Sequence, residues 1–228
     1  MATRDQPPDE NVYDVLLLSL GDELDGSLQT LLEPIGEAIA DSIAGSPDRI
    51  AEFTKRYRDD EVAHFLAEEE NAVIEDFLGV AFVVSQSAYI AAVVTRLKVL
   101  HQLASVRNKI KLTTTDASKR NMLGYGFQPG PKESFSPIEI VDAFANYYKH
   151  GDEWGPDWSI LDGQQQRTAC IIQSVGAYQS STKNLRTGAE HFGNPAYSNV
   201  GTLVRVLSPW RKALVRKYSE EIMSKALR

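Results

Sequence analysis

Cysteine is scarce in this chain: Cys170 is the only one among 228 residues. A single cysteine excludes an internal disulfide and any zinc or iron–sulfur centre held by several cysteines. The apolar neighbours Ala169, Ile171 and Ile172 predict that Cys170 is buried and unreactive. Because the sequence offers neither an internal disulfide nor a signal peptide, we expect a cytoplasmic protein.

The common catalytic and cofactor motifs are missing too. The sequence contains no phosphate-binding Gly-x-x-x-x-Gly-Lys loop, no dinucleotide fingerprint, no Gly-x-Ser-x-Gly and no His-Glu-x-x-His. We therefore predict no cofactor and no metal. Strand signals are nearly absent, with residues 110–115 as the one short candidate. The helical periodicity elsewhere predicts an all-α fold, a multi-helix bundle with a long central helix.

The domain organisation follows from composition. Hydrophobic residues make up 43% of the chain and charged residues 24%, which excludes disorder over most of its length. Residues 1–11 are polar, contain two prolines and predict a flexible tail. Residues 12–228 are predicted to form a single helical domain. The Gly- and Pro-rich loop 124–136 is the one place where this domain would subdivide.

The long central helix is predicted over residues 62–111, with a bend near Gly79. Residues 77–94 carry no charge, and this run is nearly long enough to cross a bilayer. The polar residues 85–87 at its centre favour a buried core helix instead, so we predict no membrane contact. A straight helix of this length would measure about 75 Å. It must therefore either kink or pair with a second subunit.

Cap and turn signals predict where other helices begin and end. Pro34 predicts a break, and Ser46-Pro47 predicts the start of a new helix. Residues 136–139, Ser-Pro-Ile-Glu, form a capping-box start for a helix that ends before Gly151. Further helices are predicted nearer the C-terminus, over residues 164–175, 182–192 and 198–227.

Charge is divided unevenly along the chain. Residues 1–76 hold 20 acidic and 5 basic side chains, and the remainder holds 11 acidic and 19 basic ones, which gives the net charge of −7. In the last predicted helix an apolar stripe lies opposite a basic face. That face is formed by Arg205, Arg211, Lys212, Arg216 and Lys217. We favour its pairing with the acidic residues 1–76, within one chain or across a homodimer, over binding to nucleic acid. A homodimer is predicted on these grounds and on the length of the central helix.

The most distinctive string is residues 146–154, Asn-Tyr-Tyr-Lys-His-Gly-Asp-Glu-Trp. Four of its side chains form a candidate polar site that would bind a ligand or move a proton: Lys149, His150, Asp152 and Glu153. The alternative is a capped helix end, in which the two cations complement the helix dipole and Gly151 takes a left-handed turn. Trp154 would then return to the core. Capping explains these residues without a ligand, so we favour it.

This string resembles a motif of uncharacterised bacterial all-helical proteins, Asn-Tyr-aromatic-Lys-His-x-acid-Glu-Trp. Residues 181–190, Ser-Thr-Lys-Asn-Leu-Arg-Thr-Gly-Ala-Glu, resemble a second motif of those proteins. The resemblance extends over residues 137–215 and implies a bacterial, all-helical protein. It assigns no catalytic residue, because it carries no established activity.

A weaker resemblance is to the HEPN ribonucleases of prokaryotic defence and toxin systems, which are usually dimeric helical bundles with an Arg-x4-6-His motif. Residues 186–191, Arg-Thr-Gly-Ala-Glu-His, have this spacing. The resemblance implies metal-independent RNA cleavage, with His191 moving a proton and Arg186 steadying phosphate charge. Thr187 stands where those enzymes usually have a polar residue such as Asn, Asp or His.

Two functions follow from the sequence. We favour a non-enzymatic interaction or regulatory protein of a bacterial, defence-related system, acting through a protein partner. The alternative is a HEPN-like ribonuclease that would use Arg186 and His191. The mutual placement of these two side chains separates the alternatives.

Overall fold

The computed structural model describes residues 10–57, 60–107, 118–130, 133–179 and 181–226. Within these ranges the predicted all-α fold is confirmed, and no residue is in a β-strand. The α-helices are α1 (Glu10–Leu18), α2 (Glu23–Tyr57), α3 (Asp60–Val84), α4 (Ala91–Arg107), α5 (Lys119–Leu123), α6 (Pro137–His150), α7 (Gly163–Gln173), α8 (Asn184–His191) and α9 (Thr202–Ala226). A π-helical turn (Ser85–Ile90) joins α3 to α4, and 3₁₀ turns follow α6 at Gly151–Glu153 and Trp158–Ile160. The strand candidate 110–115 and residues 1–9 of the predicted tail lie outside the described residues.

The long central helix is confirmed as the continuous stretch formed by α3, the π-helical turn and α4. Its irregularity does not lie at Gly79, which is inside regular α3. It lies at Ser85–Ile90, where the amide of Ala91 donates to the carbonyl of Gln86, five residues back. Gly79 instead allows a close approach of α6, because a Cβ atom there would lie 2.0 Å from Cδ2 of Tyr148.

The predicted break at Pro34 and the predicted new helix at Pro47 are wrong. Both prolines lie inside the continuous helix α2. Each is exposed, so water solvates the carbonyl that loses its amide partner. The opposite side of α2 buries Leu28, Leu32 and Ile39 and packs against α3. This packing holds the helix together through two prolines that would end it in isolation.

The start and end of α6 are confirmed. The amide of Glu139 donates to Ser136 Oγ at 3.1 Å, and the amide of Ser136 donates to Glu139 Oε2 at 3.0 Å, which completes the capping box. The predicted left-handed turn at Gly151 is wrong, because its φ is −60°. A Cβ atom there would lie 2.9 Å from the Tyr147 ring. Glycine is needed for this contact rather than for a positive φ.

The predicted C-terminal helices are confirmed as α7, α8 and α9, with ends that differ by one to four residues. The predicted apolar stripe of α9 is buried or half-buried, including Leu207 and Tyr218, which are fully buried. The prediction that Cys170 is buried is wrong, because this residue is exposed. Its neighbours Ala169 and Ile171 are buried, but the helix turns the intervening side chain to the outside.

One described helical stretch, His64–Ser105, is long and apolar enough to cross a membrane by length and composition. Its most apolar window has a mean hydropathy of 2.0 and is 56% buried inside the protein. Helices α2, α6 and α9 pack around this stretch. It therefore occupies the position of a core helix. Its π-helical turn contributes residues to the site described next.

Candidate binding groove

The π-helical turn directs two polar side chains into the interior. Gln86 is 6% exposed and Tyr89 is fully buried. A π turn holds more residues than an α turn, so it changes which side chains face inward. Gln86 points toward α6, whereas Tyr89 points toward the start of α2 and toward α9. The turn therefore supports two separate polar networks.

The first network is the Gln86 cluster, formed by Gln86, Lys119, Asp142, Asn146 and Lys149. The amide nitrogen of Gln86 donates to Asp142 Oδ1 at 2.7 Å and to Asn146 Oδ1 at 3.0 Å. Its amide oxygen accepts from Lys149 Nζ at 2.5 Å. Lys119 Nζ donates to Asp142 Oδ1 at 2.7 Å. Both polar ends of the buried Gln86 amide are thus satisfied, which fixes the cluster in one arrangement.

The Gln86 cluster opens onto two hollows, and a third hollow adjoins the second; we call the three together the basic groove. The first hollow, beside α4, holds about 350 Å³, the middle one about 280 Å³ and the end one about 420 Å³. Lys119 and Asn146 line both of the first two hollows. Arg120, Glu139 and Arg167 line both of the last two. The shared walls make one surface feature along α4, α5, α6 and α7.

Positive charge dominates the basic groove. Its cations are Lys98, Lys119, Arg120, Lys149 and Arg167. Its two carboxylates are both paired, since Asp142 lies 2.7 Å from Lys119 and Glu139 lies 2.6 Å from Arg167. Among the described residues, the other three cations have no carboxylate within 4.0 Å. The groove therefore offers cations to a ligand.

The structure does not bring together the four side chains predicted as a polar site. Lys149 turns to Gln86, whereas His150 Nδ1 lies 3.2 Å from Glu153 Oε1 at the surface. Asp152 is exposed. The predicted return of Trp154 to the core is confirmed: it is 4% exposed and packs edge-on against Tyr147, with ring centroids 5.4 Å apart. Residues 146–154 thus form the end of α6 and the turn after it, and Lys149 also lines the basic groove.

Arg186 joins α8 to α3. Its Nε lies 2.9 Å from Glu75 Oε1, and its Nη1 donates to Asn71 Oδ1 at 2.7 Å. The Glu75 carboxylate also accepts the backbone amides of Leu185 at 2.8 Å and Arg186 at 3.1 Å. Burial raises the pKa of Glu75, although the hydrogen bonds from Arg186 and the two amides oppose that shift. Arg186 is 8% exposed and is engaged by these partners.

His191 lies five residues after Arg186, which is about 140° around an α-helix. Its side chain is exposed, and its ring packs edge-on against Phe192, with centroids 5.1 Å apart. Partial burial of the imidazole ring lowers the pKa of His191, whereas the negative charge of Glu133 acts to raise it. Within one chain the two predicted catalytic side chains thus leave the helix in different directions.

The predicted basic face of α9 holds only in part. Its exposed members are Arg205, Lys212, Arg216 and Lys217. Lys212 Nζ lies 3.0 Å from Asp22, and Arg216 Nε lies 4.0 Å from Glu220. Arg211 corrects the prediction, because it is 2% exposed. Its carboxylate partners Asp22 and Asp25 and a buried hydroxyl partner, described next, draw it inside.

The second network is the Arg211 cluster, formed by Asp22, Asp25, Tyr89, Ser208 and Arg211. Arg211 Nη2 lies 2.8 Å from Asp22 and 2.9 Å from Asp25, and its Nε donates to the Tyr89 hydroxyl at 2.9 Å. The Tyr89 hydroxyl and Ser208 Oγ donate to Asp25. Burial alone would raise the pKa of Asp25, but the hydrogen bonds from Ser208, Tyr89 and Arg211 outweigh it and lower that pKa. The charge pairing favoured from sequence thus exists within one chain.

Sequence reasoning missed most of the groove. Of its residues, only Lys149 was singled out as a site residue. A signal for Gln86 was present, because a glutamine in an otherwise uncharged apolar run needs a buried partner. The sequence did not indicate which residues would supply that partner, since Asp142 lies 56 residues away.

Among the described residues, no group of three or more His, Cys, Asp or Glu side chains is placed to hold a metal ion. No protein-family model, curated protein or solved structure matches the chain. The chemistry of the site therefore rests on its own geometry: a fixed buried amide, two internal ion pairs and three cations that have no carboxylate partner among the described residues.

Proposed function

We propose that the protein is a non-enzymatic binding protein whose basic groove takes an anionic partner. The observation that carries this proposal is the charge arrangement of the groove. Both of its carboxylates are neutralised by internal ion pairs, while Lys98, Arg120 and Lys149 have no such partner among the described residues. This local excess of positive charge stands in a chain whose net charge is −7.

The groove residues suit binding better than catalysis. The described side chains that line it include no histidine and no cysteine. Its carboxylates already accept hydrogen bonds from Lys119 and Arg167, which makes them poor general bases. The Gln86 amide is neither an acid nor a base at ordinary pH, and its hydrogen bonds hold its neighbours in place. Such a module fits the regulatory or defence-related role expected from the sequence.

A matched pair of double variants tests the proposal. The groove variant Lys98→Ala/Arg120→Ala removes two exposed cations from the groove, and the control Arg205→Ala/Lys217→Ala removes the same two residue types from the exposed side of α9. We expect the groove variant to bind inorganic polyphosphate about tenfold more weakly at low salt. Its affinity should also depend less on salt, because fewer phosphates are neutralised and fewer counterions are therefore released on binding. Isothermal titration calorimetry measures both quantities.

The control should bind polyphosphate as the wild type does. Both variants should keep the helical circular-dichroism spectrum, because exposed cations contribute little to stability. An equal loss in the control would locate binding on α9. Failure of the wild type to bind polyphosphate at low salt would refute the proposal.

A further inference from the structure

Two aromatic side chains line the end hollow of the basic groove. Tyr125 and Phe135 share this hollow with Arg120, Asn121 and Arg167. The Arg167 guanidinium carbon lies 5.9 Å from the centre of the Phe135 ring, while its Nη2 donates to Glu139 at 2.6 Å. The hollow of about 420 Å³ lies within the size range of small-ligand sites. It is an open surface hollow that brings aromatic rings and cations together.

The walls of the end hollow are held by backbone contacts. The amide of Tyr125 donates to the carbonyl of Met122 at 3.2 Å, and the amide of Phe127 donates to that of Gly124 at 3.2 Å. Ser136 Oγ donates to the carbonyl of Leu123 at 2.8 Å. Burial raises the pKa of Tyr125. The loop after α5 is thus a formed turn, and Tyr125 is a neutral ring over the physiological range.

We infer that the end hollow takes the base of a nucleotide, and that the adjoining cations of the groove take its phosphates. This inference rests on the proposed function, because it assigns the class of anion. Aromatic rings bind bases by stacking, and cations beside them neutralise phosphate. Arg120 lines both the end hollow and the middle one, so it stands at the junction of base and phosphate. The chemistry is shared by a free nucleotide and by a nucleotide in a single strand.

An acidic peptide fits the same site less well. Carboxylates would pair with the cations of the groove, but they would give Tyr125 and Phe135 no role. An aromatic base also has polar edges, and the polar residues Asn121 and Ser134 line the same hollow. Side chains of these types hydrogen-bond to base edges. A nucleotide therefore accounts for the cations, the rings and the polar groups together.

Calorimetry with five probes separates the outcomes: adenosine triphosphate, inorganic tripolyphosphate, single-stranded octa-deoxyadenosine, an abasic strand of the same length and a poly-glutamate peptide. We expect adenosine triphosphate to bind about fivefold or more tightly than tripolyphosphate, and octa-deoxyadenosine to exceed the abasic strand by a similar factor, because base stacking contributes this much. The larger of the two preferences identifies the free nucleotide or the strand as the source.

The variant Tyr125→Leu should abolish the preference for base-containing over base-free probes. Tyr125→Phe is the matched control, because it keeps the ring and should keep that preference. Should base-containing and base-free probes bind equally to the wild type, the inference is overturned while the proposed function stands. Preferred binding of poly-glutamate also overturns it. Failure of all five probes would overturn both.

Discussion

A single carboxylate, that of Glu75, gives Arg186 a structural contact between α8 and α3. Lys183 occupies the N-cap of α8 without a side-chain hydrogen bond to the helix. Glu75 performs that role from α3, since it accepts the amides of Leu185 and Arg186, which an N-cap side chain ordinarily accepts. The Arg-x4-His spacing is visible in the sequence. The cap is not, because Glu75 lies more than a hundred positions away.

The variants Arg186→Ala and His191→Ala separate this structural role from catalysis. We expect Arg186→Ala to lower the free energy of unfolding by about 3 kcal/mol, because it leaves Glu75 buried without its cation. His191→Ala should change it by less than about 0.5 kcal/mol, as a surface substitution does. Urea denaturation measures both. The ribonuclease alternative makes the contrary prediction that wild-type protein cleaves RNA without metal and that the folded His191→Ala variant does not.

Structural features that are specified within one element were predicted correctly from the sequence. Features that depend on packing between elements were not. The capping box at Ser136 and Glu139 involves residues three apart, so the sequence specifies it. Pro34 predicted a helix end, but the buried side of α2 overrides it. The π-helical turn had no local signal beyond the polar residues 85–87. The Gln86 cluster depends on that turn, so its members could not be predicted from sequence.

Gly79 offers a test of how closely α3 and α6 approach. Gly79→Ala should lower the free energy of unfolding by about 1–3 kcal/mol, because the new methyl group displaces the Tyr148 ring, whose nearest atom lies 2.0 Å from the Cβ position. In a Tyr148→Ala background the same change should raise that free energy by up to about 1 kcal/mol, since alanine favours a helix over glycine.

The control for Gly79 is Gly26→Ala in α2, where a Cβ atom would meet nothing within 4 Å. This variant should be stabilised in either background, also by up to about 1 kcal/mol. Thermal or urea denaturation of the set gives the double-mutant cycle. If Gly79→Ala is equally destabilising with and without the Tyr148 ring, the close approach is not the reason for the glycine.

At the scale of the whole molecule, the acidic and basic parts of the chain meet within one subunit. Arg211 and Lys212 pair with Asp22, and Arg186 pairs with Glu75. The long central helix likewise packs against α2 of its own chain. Both features that suggested a homodimer thus have partners inside the subunit. The homodimer stays a prediction. Light scattering tests it, because a monomer would have the subunit mass of 25.3 kDa and a homodimer twice that mass.

Because the acidic and basic parts pair mainly through Arg211, the cations of α9 should contribute unequally to the free energy of unfolding. Arg211→Ala removes a buried cation from Asp25, so we expect the free energy of unfolding to fall by about 3 kcal/mol or more. Replacing the exposed Lys212, Arg216 and Lys217 together by alanine should change it by less than about 1 kcal/mol. In urea denaturation, the first effect should persist at high salt and the second should vanish, because salt screens exposed pairs far more than buried ones. A larger loss in the triple variant would mean that surface attraction, rather than the Arg211 cluster, joins the acidic start of the chain to its basic end.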